Sequence, residues 1–317
     1  LIIFDVSNPY LPVKISELLM PDQITGIAIT GNHVYIAADE SGLQIVNIEN
    51  IAAPFIEGAF ENSGYTYDVA VSGNYAFIAD LYSGLKIIDV SNPALPFQVS
   101  VFTSNGTSTR ILLDGIYAYL SSGTGGIHIL NISIPSTPVQ EGIFSSNAND
   151  IALSGSYLYL ACSQSIKVVD VSNPASPAFV CYFPTYYNPF GIAVENKVAF
   201  ISHGHNMDII DFGDFSAPVE LGSYSPGEGG AYSISLQNNY AYVAYSGAGL
   251  RIIDISDYAS PFETANYPFP GWMTDVVVIG SYAYITDHSF GLRIVDITNP
   301  ESLVEIGSWY CSDYVKS

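Results

Sequence analysis

Eight copies of one apolar strand-and-turn motif about 42 residues apart, a surplus of β-branched residues and tyrosine, and glycine or proline at regular intervals together predict an all-β fold, a β-propeller of about eight four-stranded antiparallel blades. The motif runs GLQIVNIENIAAP at 42–54, GLKIIDVSNPALP at 84–96, SIKVVDVSNPASP at 165–177 and GLRIIDISDYASP at 249–261. Its strand closes on Asp5, Asn47, Asp89, Asn131, Asp170, Asp211, Asp254 and Asp296, in steps of 42, 42, 42, 39, 41, 43 and 42. Between these strands a second pair recurs, as in DVAVSGNYAFIAD at 68–80, DIALSGSYLYLAC at 150–162 and DVVVIGSYAYITD at 275–287. Its Ser-Gly-Asn or Gly-Ser step supplies the positive φ of a tight hairpin.

Four strands per repeat follow, read in one copy as a (68–71), b (75–80), c (85–90) and d (97–102). Strand c is apolar on both faces, as a strand covered by a neighbouring blade on each side must be. Helical solenoids share this period, but proline in the c–d connections and short β-branched runs exclude them. The chain starts inside a strand c and ends at 313–317, which align with the strand-a residues 68–72. The expectation is seven complete repeats, a c–d half at the N-terminus and a strand a at the C-terminus. They form one propeller domain over 1–317; either the blade that joins the two ends lacks about one strand b, or the sequence is a piece of a longer chain whose signal peptide and anchor lie outside it.

Composition removes several function classes. Eight Lys and Arg face 30 Asp and Glu, a net charge of −22, so the basic surface that nucleic acid or an anionic membrane demands cannot be assembled. No apolar run approaches the roughly 18–20 residues of a membrane helix, so no membrane insertion is expected. Cys162, Cys181 and Cys311 fit neither a CxxC metal pattern nor a disulfide framework. Cys162 and Cys181 fall on strands b and d of one blade with strand c between them, too far apart to bond.

The segments LQIVN, LKIID, IHILN, IKVVD, MDIID, LRIID and LRIVD resemble the LVIVD repeat of bacterial and archaeal cell-surface propellers. The resemblance covers essentially the whole chain. It implies the propeller scaffold and an extracellular or cell-surface location, and it carries no catalytic residues. The Gly-His and Trp-Asp pairs of WD propellers and the double glycines of kelch repeats are missing.

Alternating strand direction places the d–a and b–c loops on one face, here the upper, and the a–b and c–d turns on the lower. The lower turns are nearly constant, and their Asp or Asn caps the following turn while Pro fixes φ. The upper loops vary, so ligand-binding residues are sought there: Tyr67, Asp68, Arg110, Tyr187, Trp272, Asp275, Asp287 and His288. Tyr65, Tyr82, Tyr186, Phe190, His203 and His205 share those loops. At the start of strand a the equivalent positions Gly26, Asp68, Arg110, Asp150, Gly191, Ser233, Asp275 and Asp313 ring the channel mouth, with Arg110 between two acids. Asp275, Asp313, Asp287 and His288 are the best cation candidate, though Ca²⁺ wants six to eight oxygens that they do not supply, and no cofactor is expected. His203-Gly-His205 is a weak metal pair. Lys86, Lys167, Arg251 and Arg293, with His128, occupy the second place of strand c, where they can meet strand-b acids such as Asp80 and Asp287 in a structural role. No catalytic signature appears. The function expected is a non-catalytic extracellular or cell-surface binding or assembly module for a glycan or a surface protein. The alternative is a carbohydrate-active hydrolase or lyase using upper-face carboxylates, such as Asp68 and Asp275.

Overall fold

The computed structural model describes residues 2–5, 13–17, 20–22, 24–50, 53–62, 64–268, 273–279, 282–287, 291–298 and 303–308, with side chains from residue 20 onward except for parts of 269–308. The described chain is all-β, a β-propeller of seven four-stranded antiparallel sheets preceded by one two-stranded sheet, Ile2–Asp5 with Val13–Glu17. That pair is the expected c–d half. The strand a expected at 313–316 lies outside the described residues. The seven blades span 26–60, 66–102, 110–144, 150–184, 189–224, 230–267 and 273–308, numbered 1 to 7 below, and each is a simple meander.

Blade 2 shows why the sequence folds this way. Its strands are Thr66–Ser72, Tyr75–Asp80, Gly84–Asp89 and Phe97–Phe102, so strand a starts two residues before the position expected. Gly73 closes the a–b hairpin at φ +57°, a left-handed conformation that glycine adopts without strain. Strands b and c are apolar on both faces because both are covered. Ile78 and Ile88 pack with Tyr35, Leu43 and Ile45 of blade 1, while Phe77, Leu85 and Ile87 pack with Ile111, Leu120 and Leu130 of blade 3. Burying each such side chain contributes about 1.5–3 kcal/mol.

The chain packs as two compact units, one of residues 18–163 and 167–181, the other of 1–17, 164–166 and 182–317. The first holds blades 1 to 3 and most of blade 4. The second holds blades 5 to 7, the two-stranded sheet and the ends of two blade-4 strands. In the first, the interior of blades 3 and 4 is built from Tyr119, Ile127, Ile129, Leu158, Leu160 and Val169. In the second, Phe200, Met207 and Ile209 of blade 5 meet Val243, Tyr245 and Ile253 of blade 6.

Strand d, the outer edge of the sheet, carries a β-bulge in six of the seven blades. In blade 2 Gln98 faces Ile88 and Ser100 faces Ile87, leaving Val99 unpaired. The same slip follows Ile56, Gln140, Glu220, Glu263 and Glu305 in blades 1, 3, 5, 6 and 7. Bulges twist an edge away from further pairing. The residue after the bulge abuts the c–d turn of the next blade. A Cβ on Gly58 would be driven into the carbonyl of Pro93, on Gly142 into that of Pro174, and on Gly222 into that of Tyr258. Where blade 2 has serine instead, Ser100 Oγ donates to Pro135 O at 2.6 Å. This clasp explains the small residues at the position.

The lower turns are capped as expected. Asp89 Oδ1 accepts from Ser91 N at 2.8 Å, Asn131 Oδ1 from Ser133 N at 3.0 Å, Asp170 from Ser172 N at 2.8 Å and Asp254 from Ser256 N at 2.8 Å. Hydrogen bonds from Ser172 hold the exposed Asp170 carboxyl below the usual range. Cys162 and Cys181 are buried free thiols, each pushed up by burial, and Cys311 lies outside the described residues.

Candidate binding surface

Within each unit, the first residues of strand a join neighbouring blades to one another. Asp68 Oδ2 accepts from Ile111 N of blade 3 at 3.0 Å, and its Oδ1 from Val69 N at 2.9 Å. Arg110 Nε lies 3.3 Å from Asp150 Oδ1, the expected partner on one side. In the second unit Ser233 Oγ and Ser235 Oγ accept from Val276 N and Val278 N at 3.4 and 3.3 Å. Gly26 is small because a Cβ there would lie 2.8 Å from Asp68 Oδ1. These positions stitch strand to strand, so their first role is architectural. Trp272, His288 and Asp313 lie outside the described residues, and Asp275 and Asp287 fall in the strands Met273–Ile279 and Tyr282–Asp287 without described side chains.

The residue one place earlier turns outward, a feature the sequence did not reveal. Strand a slips register between Thr66 and Asp68 in blade 2, Pro189 and Gly191 in blade 5, and Ala231 and Ser233 in blade 6. The bulged residues are Tyr67, Phe190 and Tyr232, all more than a third exposed. A bulge re-aims a side chain, and in these three blades it presents an aromatic ring, whereas the slip between Met273 and Asp275 in blade 7 falls at Thr274.

In the second unit the bulged rings form part of a platform. Phe190 and Tyr232 stack at 5.0 Å between centroids, 25° apart. Tyr187 lies over Gly204, where a Cβ would approach the ring to 2.6 Å, and it meets Tyr186 edge-on at 4.8 Å. Thr185 Oγ1 donates to Tyr187 O at 2.7 Å, which fixes that loop. Gly204 O accepts from Ala231 N at 2.8 Å, tying the Tyr187 side of the platform to the Tyr232 side. In the first unit Tyr65 meets Tyr82 edge-on at 5.8 Å. The hydrogen bond from the Tyr65 hydroxyl to Glu40, with the charge of that carboxylate, raises the phenol.

Beneath the loops, the polar residue near the start of strand c finds chemically different partners from blade to blade. In blade 2 the expected contact forms: Lys86 Nζ donates to Asp80 Oδ2 at 2.8 Å and to Asn62 Oδ1 of the d–a loop. Burial pushes the Asp80 carboxyl up, but bonds from Lys86, Asn62 and the Ser83 N–H, with the lysine charge, outweigh it and hold the group low. In blades 3, 4 and 6 the acid is absent from the end of strand b. Lys167 donates to Ser146 Oγ at 3.0 Å because Cys162 holds the acid's place. His128 Nδ1 bonds Gln140 Oε1 at 2.7 Å. Arg251 reaches Glu263 of strand d at 3.2 Å and Glu228 at 3.4 Å because Tyr245 stands at the end of strand b. Blade 5 inverts the pair, with His203 in the acid's place and Asp208 in the cation's. The Arg293 side chain is not among those described. The Tyr245 hydroxyl, Arg251 Nε, His203 Nδ1 and Asp208 Oδ1 are buried without hydrogen-bond partners.

The His203–His205 pair does not converge on a metal. His203 is buried against Asp208, whereas the exposed His205 bonds Gly229 O. No cluster of three metal-ligating side chains occurs among the described residues. The basic side chains that are described all have intramolecular partners: Lys86, Arg110, Lys167 and Arg251 as above, and Lys197 over the Phe215 ring at 4.8 Å. The exposed potential is therefore dominated by carboxylates.

A family model for the LVIVD repeat matches residues 23–61, 63–103, 105–146, 145–185, 190–225, 228–268 and 270–310. No curated protein matches by sequence. Among solved structures, Saccharomyces cerevisiae Sqt1 is similar with a TM-score of 0.72 at 9% identity, covering 91% of this chain and 86% of that one. Chaetomium thermophilum Sqt1 bound to the N-terminus of the ribosomal protein L10 gives 0.71 at 12%, covering 91% and 88%. The computationally designed Ika8 protein gives 0.73 at 9%, covering 90% and 86%. At such identities the likeness is one of fold.

Proposed function

The chain belongs to the LVIVD-repeat family, and from that membership we propose that it is a non-catalytic binding or assembly module, extracellular or at the cell surface, that takes a glycan or a protein partner on its d–a and b–c loops. The observation that carries this reading is the exposed aromatic residue displayed by a bulge at one strand-a position in three blades: Tyr67, Phe190 and Tyr232. Aromatic side chains supply large contact area at low entropic cost and are enriched where surfaces recognise partners. Sqt1 with the L10 N-terminus is a precedent for a fold of this kind holding a protein segment. The carbohydrate-active reading draws nothing from Asp68, whose two oxygens both accept backbone N–H groups.

Binding of the intact chain to glycan and peptide arrays, compared among wild type, Tyr67→Ala, Phe190→Ala and the lower-turn change Asn92→Ala, tests the reading. The loop-face changes are expected to weaken binding and Asn92→Ala to leave it intact. Loss caused by Asn92→Ala alone would place the partner on the other face, and covalent change of a bound glycan would make the chain an enzyme.

A further inference from the structure

We infer that the aromatic platform of the second unit docks a basic polypeptide segment, with arginine side chains laid on the exposed faces of Phe190, Tyr232 and Tyr187; the inference rests on the binding-module reading and names its partner class. Three independent features lead to a cation. First, the net charge is −22, and the described basic side chains are consumed by Asp80, Asp150, Ser146, Glu263 and the Phe215 ring. An approaching cation thus meets attraction without competition from the protein's own lysines and arginines. A neutral sugar gains nothing from that field, and an acidic glycan is repelled by it.

Second, the rings have the geometry that a flat cation uses. Phe190 and Tyr232 stack and keep 39% and 37% of their surface exposed, and Tyr187 is braced on Gly204. The Gly204–Ala231 hydrogen bond ties the backbone under Tyr187 to the strand that carries Tyr232. A guanidinium is planar, weakly hydrated and able to stack while its N–H groups reach carboxylates. Lysine, a compact and strongly hydrated charge, exploits such a surface less well.

Third, an exposed carboxylate lies in the loop that leads to the platform. Glu228, 71% exposed at its side chain, touches Arg251 through one oxygen only, at 3.4 Å, and it precedes the Gly229-Gly230 step against which Tyr232 rests. The Tyr187 ring centroid lies 6.2 Å from that of His203, which bonds Asp208. The exposed Glu228 carboxylate adds to the negative potential that a cation sees.

The test uses the whole chain and a twelve-residue probe of alternating Arg and Gly, with Lys-Gly and Glu-Gly probes of the same length and a panel of neutral and acidic oligosaccharides. The Arg-Gly probe is expected to bind, more weakly as salt rises because screening shortens the reach of the field. Phe190→Ala/Tyr232→Ala should cost about tenfold in affinity with an unchanged urea midpoint. The Lys-Gly probe should bind several-fold more weakly, and Glu228→Gln should reduce Arg-Gly binding while leaving the stacked rings in place. Equal affinity of the double variant and wild type, or equal affinity for the two basic probes, overturns the proposal by showing a response to charge alone. If an oligosaccharide binds in a way that needs Phe190 and Tyr232 while the basic probes do not, the partner class is wrong and the binding-module reading survives. If no probe depends on the rings, both fail.

Discussion

Lys86→Met is the sharpest probe of how the blades are locked beneath the loops. The Asp80 side chain is fully buried and that of Lys86 is 8% exposed. Removing the ammonium leaves Asp80 Oδ2 with Asn62 Nδ2 at 2.5 Å, and Oδ1 with the Tyr82 and Ser83 N–H groups at 3.1 and 2.7 Å. The carboxylate keeps these bonds but loses its neutralising charge. Breaking a buried pair from one side costs about 3–5 kcal/mol, and the retained bonds place the expectation near about 3. Adding Asp80→Asn removes the uncompensated charge, so the double variant should recover part of the loss and show a coupling energy of about 2 kcal/mol. Urea midpoints at constant slope for the four proteins complete the cycle. The pH dependence has a fixed sign. Because the folded carboxyl is held low, the unfolded chain binds the proton first. The stabilisation is therefore complete above the unfolded value of about 4 and is lost as pH falls through the folded one. Asp80→Asn should remove that component of the acid slope. A Lys86→Met cost below about 1 kcal/mol, or strict additivity in the cycle, would falsify the account of a dry, coupled pair.

Three further outcomes follow from the same structure. Gly58→Ala, which forces a Cβ onto the Pro93 carbonyl, should destabilise by about 2–3 kcal/mol; Gly73→Ala, with positive φ but open space around it, should cost only about 1 kcal/mol, and equal melting shifts would refute the clasp. Tyr245→Phe deletes a hydroxyl that is buried without a partner, so urea unfolding should show no loss and a gain of up to about 1 kcal/mol. Asp89→Ala removes the cap on Ser91 N and should lower stability by roughly 1 kcal/mol while affinity for the Arg-Gly probe stays unchanged; the reverse pattern would make the lower turns a binding site.

The frame was legible because its determinants are local and repeated. The Asp or Asn closing strand c, the Gly73-type hairpins and the doubly apolar strands b and c each write a period into the chain, and even the Lys86–Asp80 contact could be read from spacing. Interblade details were not legible, since they depend on which residues meet across a junction. The same spacing precedes Asp68, where strand a bulges at Tyr67, and Arg110, where it pairs without a slip. The expectation that strand-c cations meet strand-b acids failed at Lys167 and Arg251 for a related reason: Cys162 and Tyr245 stand where the acid would be, and the cations turn to Ser146 and Glu263. A period averages over such exceptions, and the candidate surface is made of them.

The clasp between strand d and the following turn bears on how such a chain is inherited. It joins a small residue on one repeat to a main-chain carbonyl on the next, at Gly58 with Pro93, Ser100 with Pro135 and Gly142 with Pro174, and main-chain carbonyls are common to every repeat. A gene that gains or loses a copy through unequal recombination would therefore produce a junction already able to close, with no new side-chain match required. The cation, thiol and imidazole arrangements beneath the loops differ from blade to blade, so they are what tells one copy from another.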